Sequence, residues 1–462
     1  MVNLNDITNV HFIGIAGAGM RAIANVFIEK GYHVSGSDLK ASPVTEQFAQ
    51  KGARICIGQR PENLQDAQVV VISSAIRDTN VELAEARRRG IPVIHRSDAL
   101  VHIMSWGKGI SVAGAHGKTT TSSMLGQVFE ECHQDPTIVI GGEVDYLHSN
   151  SILGKGDYVI AEADESDGTF LKQNPYIAVV TNIDADHMDH YGSLENVIAA
   201  FKQFIQKLDP KEGLAVLCFE NDKIRALAPQ TERRYVSYGL EQPADYQSKD
   251  LHYIKGKLHF SVYKHGQKMG DMVLSVPGRH NVLNALATTA VADACGLPFD
   301  GIASAMSHFH GAKRRFQTKG FAGDVWVVDD YAHHPTEINA TLTAARDMGT
   351  HRVVCLFQPH RYTRTKLLLD QYGGAFAKAD KLIITDVYSA GEDPIPGVSG
   401  ELIAKKVRET TGQDVTYIPH KEDLVAYLKE NSRPLDLVIT MGAGDIYKVG
   451  EAYLAEAKEM EK

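Results

Sequence analysis

The stretch Val112-Ala113-Gly114-Ala115-His116-Gly117-Lys118-Thr119-Thr120-Thr121 decides how the rest of the chain is read. Before it, Ile110-Ser111-Val112-Ala113 is a short apolar run of strand type. After it, Leu125, Val128, Phe129 and Cys132 recur at i, i+3, i+4 and i+7, the stripe of an amphipathic helix. A glycine-rich loop between strand and helix puts unpaired N–H groups and the positive end of the helix dipole where phosphate oxygens are held. Lys118 then reaches the β/γ-phosphates of a nucleotide, and the hydroxyl of Thr119 or Thr120 goes to Mg²⁺. In the common phosphate loop a glycine stands where this chain has Val112, and here the preceding glycine is Gly114. The flanking strand and helix therefore carry the choice of a nucleotide loop over a plain tight turn.

Working outward, the order strand, turn, helix recurs. Val10-His11-Phe12-Ile13-Gly14-Ile15 leads into Ala16-Gly17-Ala18-Gly19-Met20 and a helix marked by Ile23, Val26 and Phe27, with further strands at 32–35 and 69–72. A second segment carries the phosphate loop, strands at 158–161 and 177–180, and a β-rich stretch over 214–276. A third has strands at 325–328, 353–357, 382–384 and 437–439. This alternation predicts α/β domains with parallel, helix-covered sheets. Over 462 residues it suggests three of them, at 1–107, 108–313 and 314–462.

Composition narrows the partners. Hydrophobic residues make up 44% and charged residues 23%, as in ordinary globular proteins, and the net charge of −9 argues against a nucleic-acid backbone or an anionic membrane as partner. The first nine residues show no signal-peptide pattern, and no run approaches a membrane span. Five scattered cysteines, Cys56, Cys132, Cys218, Cys295 and Cys355, read as small buried hydrophobes in a reducing cytoplasm.

The polar clusters follow strands, at their carboxyl ends, where open α/β sheets bind ligands. Gly14, Gly17 and Gly19 come close to a dinucleotide fingerprint with Ala16 at its second glycine, and Asp38 closes the next strand at the place of a ribose-binding carboxylate. In Glu162-Ala163-Asp164-Glu165-Ser166-Asp167, Glu162 is the expected Mg²⁺ ligand and the rest are expected to be solvated. Asp184-Ala185-Asp186-His187-Met188-Asp189-His190 has spacings that also suit zinc, although no cysteine accompanies it. Asn281 and Asn284, three apart, share a helix face and offer amides either for an adenine edge or as caps. Arg361 and Arg364 have the same spacing and form a possible fork for a small carboxylate.

In order along nearly the whole chain, these motifs resemble those of the Mur ligases of peptidoglycan synthesis. The family pattern G-x-G-G-x-G-M stands at 14–20, G-T-H-G-K-T-T at 114–120, E-A-D-E-S-D at 162–167 and N-I-x-x-D-H-M-D at 182–189. H-N-x-x-N stands at 280–284, R-R-F-Q at 314–317, D-D-Y-A-H-H-P at 329–335 and Q-P-H-R-Y-T-R at 358–364. Ala16 replaces a usual glycine and Ala115 a usual threonine.

The resemblance implies three domains: a Rossmann-like one for a UDP-sugar, a central ATPase domain, and a Rossmann-like one that brings an amino acid. It implies an ATP-dependent ligase, in the branch that joins L-alanine to the lactyl carboxylate of UDP-N-acetylmuramate through an acyl phosphate. The chain would work in the cytoplasm with Mg²⁺, as a monomer or homodimer. Carried over by position, Gly114, Ala115, His116, Gly117, Lys118, Thr119 and Thr120 cradle ATP, and Asn281 and Asn284 face its adenine. Thr119 with Glu162 holds one Mg²⁺, His187 assists a second metal, and Arg314 or Arg315 with Asp330 completes the nucleotide site. Gly14, Gly17, Gly19, Met20, Asp38, Ser73 and Ser74 bind the UDP-sugar. Tyr331, His333, His360, Arg361 and Arg364 bind alanine. A neighbouring branch attaches a tripeptide to the same sugar, with D-D-F-A-H-H-P in place of the sequence containing Tyr331. A regulatory nucleotide-binding module, the alternative outside enzymes, has no use for the lysine, carboxylate, histidine and arginine set together.

Overall fold

Short apolar strands separated by helices close into three sheets in the computed structural model, which describes residues 3–144, 149–254, 257–349 and 352–460. The first sheet has β1 (Asn9–Ile13), β2 (His33–Asp38), β3 (Arg54–Ile57), β4 (Val69–Ile72) and β5 (Val93–His95). Its order is β3-β2-β1-β4-β5 and every neighbouring pair is parallel. The order reverses between β1 and β4, which opens a crevice at their carboxyl ends. β1 ends two residues earlier than the apolar run suggests, because Gly14 turns the chain with φ of +74°.

The second sheet contains β6 (Lys108–Ala113), β7 (Thr137–Val144), β8 (Ser149–Ile152), β9 (Tyr158–Glu162), β10 (Ile177–Val180), β11 (Leu214–Cys218), β12 (Tyr235–Gly239), β13 (Tyr246–Ile254), β14 (Lys257–Lys264) and β15 (Gln267–Leu274). They lie in the order β15-β14-β13-β12-β11-β10-β6-β9-β7-β8. β6 is flanked by β9 and β10, both parallel to it, so the loops after all three emerge side by side.

The third sheet is β16 (Gln317–Ala322), β17 (Val325–Asp330), β18 (Arg352–Phe357), β19 (Lys381–Ile384), β20 (Val415–Tyr417) and β21 (Asp436–Met441), ordered β16-β17-β21-β18-β19-β20. Only the β16–β17 pair is antiparallel. Side chains alternate across a strand. Val353, Cys355 and Phe357 therefore join a core with Ile338, Leu342 and Phe376, while Val354 and Leu356 join another with Leu428 and Val449. Helices cover both faces.

The chain forms two compact units. One comprises Met1–Leu251, Phe260–Val273 and Leu283–Phe309; the other His252–His259, Leu274–Val282 and His310–Lys462. Within the first, the core of the five-stranded sheet continues into Val139, Val159 and Ala161 of the second sheet.

Two sequence expectations need correction. The Lys118–Glu131 helix is buried on all faces from Thr120 to Phe129, not amphipathic. It packs between the second sheet and the Phe299–Ser307 helix, so protein replaces water on its polar face: Thr121 Oγ1 donates to Asn284 Oδ1 at 3.2 Å, and Gln127 Nε2 to the Ala305 carbonyl at 3.1 Å. Of the five free cysteines, only Cys218 and Cys355 are buried. Among the described residues, no helix is long and apolar enough to cross a membrane.

Candidate active site

The phosphate-type loop requires glycine at two points. Gly114 and Gly117 have φ of +138° and +83°, and a Cβ on them would lie 2.0 Å from Thr181 Oγ1 and 2.8 Å from Asn284 Oδ1. The loop after β10 clamps it. Asn182 Oδ1 accepts from the His116 N–H at 2.8 Å, Asn182 Nδ2 donates to the His116 carbonyl at 2.9 Å, and Thr181 Oγ1 donates to that carbonyl at 2.6 Å. His116 Nε2 also stands 3.5 Å from Asp184 Oδ2.

Lys118, the first residue of the buried helix, donates from Nζ to Glu165 Oε1 at 2.8 Å and to the Gly114 carbonyl. Burial disfavours its ammonium, but Glu165, Asp164 and Glu162 outweigh that and raise its pKa. Glu162 ends β9, next to β6. Burial pushes its carboxyl up against the opposing pull of Lys118, the Gly141 N–H and the Thr119 hydroxyl. Glu162 Oε1 is buried without a hydrogen-bond partner. An orphaned carboxylate oxygen beside a threonine hydroxyl suits a hard divalent cation.

Of the other acidic residues, expected to be solvated, Glu165 is buried while Asp164 and Asp167 stay partly exposed, and each meets a protein partner. Glu165 is 3% exposed and holds Lys118. Asp164 accepts from Arg96 Nη2 at 2.6 Å; burial works against its carboxylate, yet Arg96, Ser166 and Lys118 hold it down at about 2. Asp167 accepts from Ser74 Oγ at 2.8 Å and from Thr169. His187 takes a left-handed φ of 56° ahead of the Met188–Tyr191 helix, placing Nε2 3.6 Å from both Glu165 Oε1 and Asp186 Oδ2. Burial opposes its protonation, but these two carboxylates raise its pKa. Asn281 and Asn284 lie buried in the Arg279–Ala294 helix. The Asn281 amide donates to the Pro277 carbonyl at 2.7 Å, and Asn284 accepts from Thr121.

The loops after β1 and β4 flank the crevice of the first sheet. Gly17 caps the Ala18–Lys30 helix, Met20 is buried in its first turn, and Asp38 Oδ2 accepts from the Ala16 N–H at 3.1 Å. Gly19 lies against Arg96: a Cβ there would stand 3.2 Å from the guanidinium. Ser73 closes a turn through its carbonyl to Ile76, and Ser74 bridges to Asp167.

In the second unit, Arg314 is committed to its surroundings. With φ of +63°, it donates from Nε to Asp329 Oδ2 at 2.9 Å and from Nη1 and Nη2 to the Gly444 and Gly442 carbonyls at 2.9 and 2.6 Å. Its guanidinium also lies 5.0 and 4.7 Å from the Tyr331 and Tyr447 ring centres. Arg315 lies 3.6 Å from Glu337, with its guanidinium 5.3 Å from the Tyr331 ring centre. Asp330 accepts from the Phe316 and Ala332 N–H groups, both at 2.8 Å; burial raises its carboxyl to about 6 despite Arg315. His333 donates to the Tyr331 carbonyl, and its ring meets that of His360 edge-on at 5.8 Å. His360 stacks on Tyr388 at 5.7 Å and accepts from Arg364 Nη1 at 3.2 Å. Burial, helped by His333, Arg364 and Arg361, pushes its imidazole down to about 3. Arg361 and Arg364 do not share a helix face: Arg361 caps the Tyr362–Leu367 helix with φ of +69° and ψ of 137°, outside helical backbone.

Three family models match the chain in succession: "Mur ligase family, catalytic domain" at 9–106, "Mur ligase middle domain" at 112–292 and "Mur ligase, glutamate ligase domain" at 314–444. A UDP-N-acetylmuramate–L-alanine ligase of Pelotomaculum thermopropionicum is 49% identical, covering 98% of each chain. The chain belongs to the Mur ligase family. Another relative of that name, from Syntrophotalea carbinolica, is 48% identical over 97% of this Mur ligase and 98% of its own length. The crystal structure of UDP-N-acetylmuramate-alanine ligase MurC from Thermotoga maritima superposes with a TM-score of 0.83 at 28% identity, covering 98% of this chain and all of that one. The three-domain α/β architecture is that of the Mur ligases.

Several residues that shape this Mur ligase's site were given no role from the sequence. Thr181 and Asn182 grip the phosphate-type loop, Glu165 neutralises Lys118, and Arg96 pairs with Asp164. Asn182 opens a family motif, so a signal existed for it. Arg96 carried none, since its partner is 68 residues away.

Proposed function

We propose that this Mur ligase joins L-alanine to the lactyl carboxylate of UDP-N-acetylmuramate, converting ATP to ADP and phosphate. The observation that carries the chemistry is Lys118, held charged among carboxylates at the start of a buried helix, beside the orphaned oxygen of Glu162. The choice of L-alanine rests on full-length relatives that carry that name. Residues 1–107 take the UDP-sugar, 108–313 the ATP and 314–462 the amino acid. The enzyme works in the cytoplasm, as a monomer or homodimer.

A carboxylate is a poor electrophile, so it is first activated. The lactyl carboxylate attacks the γ-phosphorus, ADP leaves, and an acyl phosphate remains. The alanine amine, having lost its proton, then attacks the acyl carbon; phosphate leaves and the amide forms. Lys118 stabilises the transferring phosphoryl group, and the N–H groups of 114–120 cradle the other phosphates. Thr119 with Glu162 would hold one Mg²⁺ and His187 would assist a second metal, ions that neutralise phosphate charge when bound. Asn281 and Asn284 line the adenine side. Arg315, rather than the committed Arg314, is the cation assigned to the nucleotide, with Asp330 fixing its neighbours. Tyr331, His333, His360, Arg361 and Arg364 receive alanine, and Gly14, Gly17, Gly19, Met20, Asp38, Ser73 and Ser74 receive the UDP-sugar.

The test is phosphate release from ATP with UDP-N-acetylmuramate and each of L-alanine, glycine, L-serine and a peptidoglycan tripeptide. L-Alanine is expected to give the highest kcat/KM. Preference for the tripeptide would move the enzyme to the neighbouring branch.

A further inference from the structure

The acidic loop holds a carboxylate whose second oxygen has no protein partner. Glu165 Oε1 accepts from Lys118 at 2.8 Å and lies 3.6 Å from His187 Nε2, with the side chain only 4% exposed. Glu165 Oε2 is buried and has no hydrogen-bond partner. The nearby Tyr191 hydroxyl does not serve it, donating instead to the Glu165 backbone carbonyl at 2.6 Å. A carboxylate whose only task was to neutralise one lysine would not need a second oxygen buried and unpaired, since such an atom opposes folding unless something meets it.

The charges point the same way. Glu162, Asp164 and Glu165 all act on Lys118, and Asp164 is answered by Arg96. Three carboxylates therefore face two fixed cations. The unpaired oxygens belong to Glu162 and Glu165, both of which act on Lys118, and His187 stands beside Glu165 with a left-handed backbone. Glu165 offers a buried carboxylate oxygen and His187, 3.6 Å from that side chain, an imidazole, donor types that suit a divalent cation.

We propose that Glu165 is itself a ligand for a divalent cation, beside His187. This rests on the reading of Thr119 with Glu162 as one metal site and of His187 as assisting a second, and adds Glu165 beside His187. It also gives the Lys118–Glu165 pair a purpose. In the empty site Glu165 keeps the lysine charged and in place. A cation bound at Glu165 takes over that neutralisation, and the ammonium is released to phosphate oxygens as nucleotide arrives.

The test is Mn²⁺ binding to the full-length protein saturated with ADP, with free Mn²⁺ read by electron paramagnetic resonance, and ADP binding without metal read by calorimetry. Glu165→Gln is expected to weaken Mn²⁺ at least tenfold while metal-free ADP binds as tightly as in the parent or more tightly, because Lys118 has lost its internal anion. Unchanged Mn²⁺ affinity in Glu165→Gln, with a loss in Glu162→Gln, overturns this inference and leaves the metal-site reading standing. Unchanged affinity in both variants overturns the two together. If Glu165→Gln does not fold, Glu165→Asp reads the same quantity: the shortened carboxylate should weaken Mn²⁺, and parent-like affinity refutes the proposal.

Discussion

Replacing Arg314 with alanine should unfold the second unit sooner without first touching nucleotide affinity. The change removes three charge-assisted hydrogen bonds, to Asp329, Gly442 and Gly444, and leaves Asp329 fully buried without its cation. Removing one partner of a buried ion pair costs ~3–5 kcal/mol. Arg314 is one-fifth exposed, so water recovers part of that, and about 3 kcal/mol is a fair expectation. At roughly 2–4 °C per kcal/mol for units of this size, the midpoint should fall by about 6–12 °C. The chain has two tryptophans. Trp326 packs beside Phe316 in the second unit, so a Trp106→Phe background makes fluorescence report on that unit alone. Arg315→Ala is the contrast: its pair with Glu337 is longer, at 3.6 Å, and Glu337 keeps the His333 and His334 N–H groups as donors, so the loss of stability should be smaller than for Arg314→Ala while kcat/KM for ATP falls. An Arg314→Ala protein that melts with its parent yet has lost ATP affinity would refute the division of labour between these arginines.

Lys118→Ala should remove nearly all phosphate release while UDP-N-acetylmuramate binding, followed by calorimetry, stays within twofold of the parent. Asp330 has a folded pKa raised to about 6, so its contribution to stability is full below ~3.9 and is lost as pH rises through 6. The Trp326 transition should accordingly lose about 2–3 kcal/mol from this group between pH 4 and 7, and Asp330→Asn should abolish that slope. Arg364→Ala removes one charge-assisted hydrogen bond to the alanine carboxylate, a loss of about 1.5–3 kcal/mol. The KM for alanine should therefore rise roughly ten- to a hundred-fold, with that for ATP unmoved; the opposite split would place Arg364 with the nucleotide.

The sequence disclosed what local chemistry controls. The phosphate-type loop was legible because Gly114, Gly117 and Lys118 sit between a β-branched run and a helical stripe, and the same logic exposed the loops after β1 and β9. Pairing across the fold stayed hidden. Periodicity gave the Lys118–Glu131 helix a wet face, because nothing local announces that the Phe299–Ser307 helix will cover it. Charge density made 162–167 look solvated, since the cations that pair with Asp164 and Glu165 come from Arg96 and Lys118. Spacing put Arg361 and Arg364 on one face, but an i, i+3 rule holds only within helical backbone, and Arg361 has a positive φ.

The pairing of Arg96 with Asp164 bears on how two substrates meet. On the proposed reading, the UDP-sugar sits over the loops after β1 and β4, and ATP over those after β6 and β9. An attack by the lactyl carboxylate on the γ-phosphorus tolerates little error in distance, since misplacement of about 1 Å can cost a hundredfold in rate. The connection between β5 and β6 carries the Arg96–Met104 helix, and the two sheets share a core. Side chains add to that base: Arg96, against Gly19 of the loop after β1, holds Asp164 at 2.6 Å, and Ser74 holds Asp167 at 2.8 Å. Lys172 adds a third tie to Asp98 at 2.7 Å. Asp164 and Asp167 bracket Glu165, so the carboxylate that keeps Lys118 in place is carried on a segment anchored at both ends to the sugar-binding sheet. On that reading the acidic loop would serve both substrates: Glu165 holds Lys118 on the ATP side, while Asp164 and Asp167 tie the loop to the residues after β5 and β4 on the sugar side.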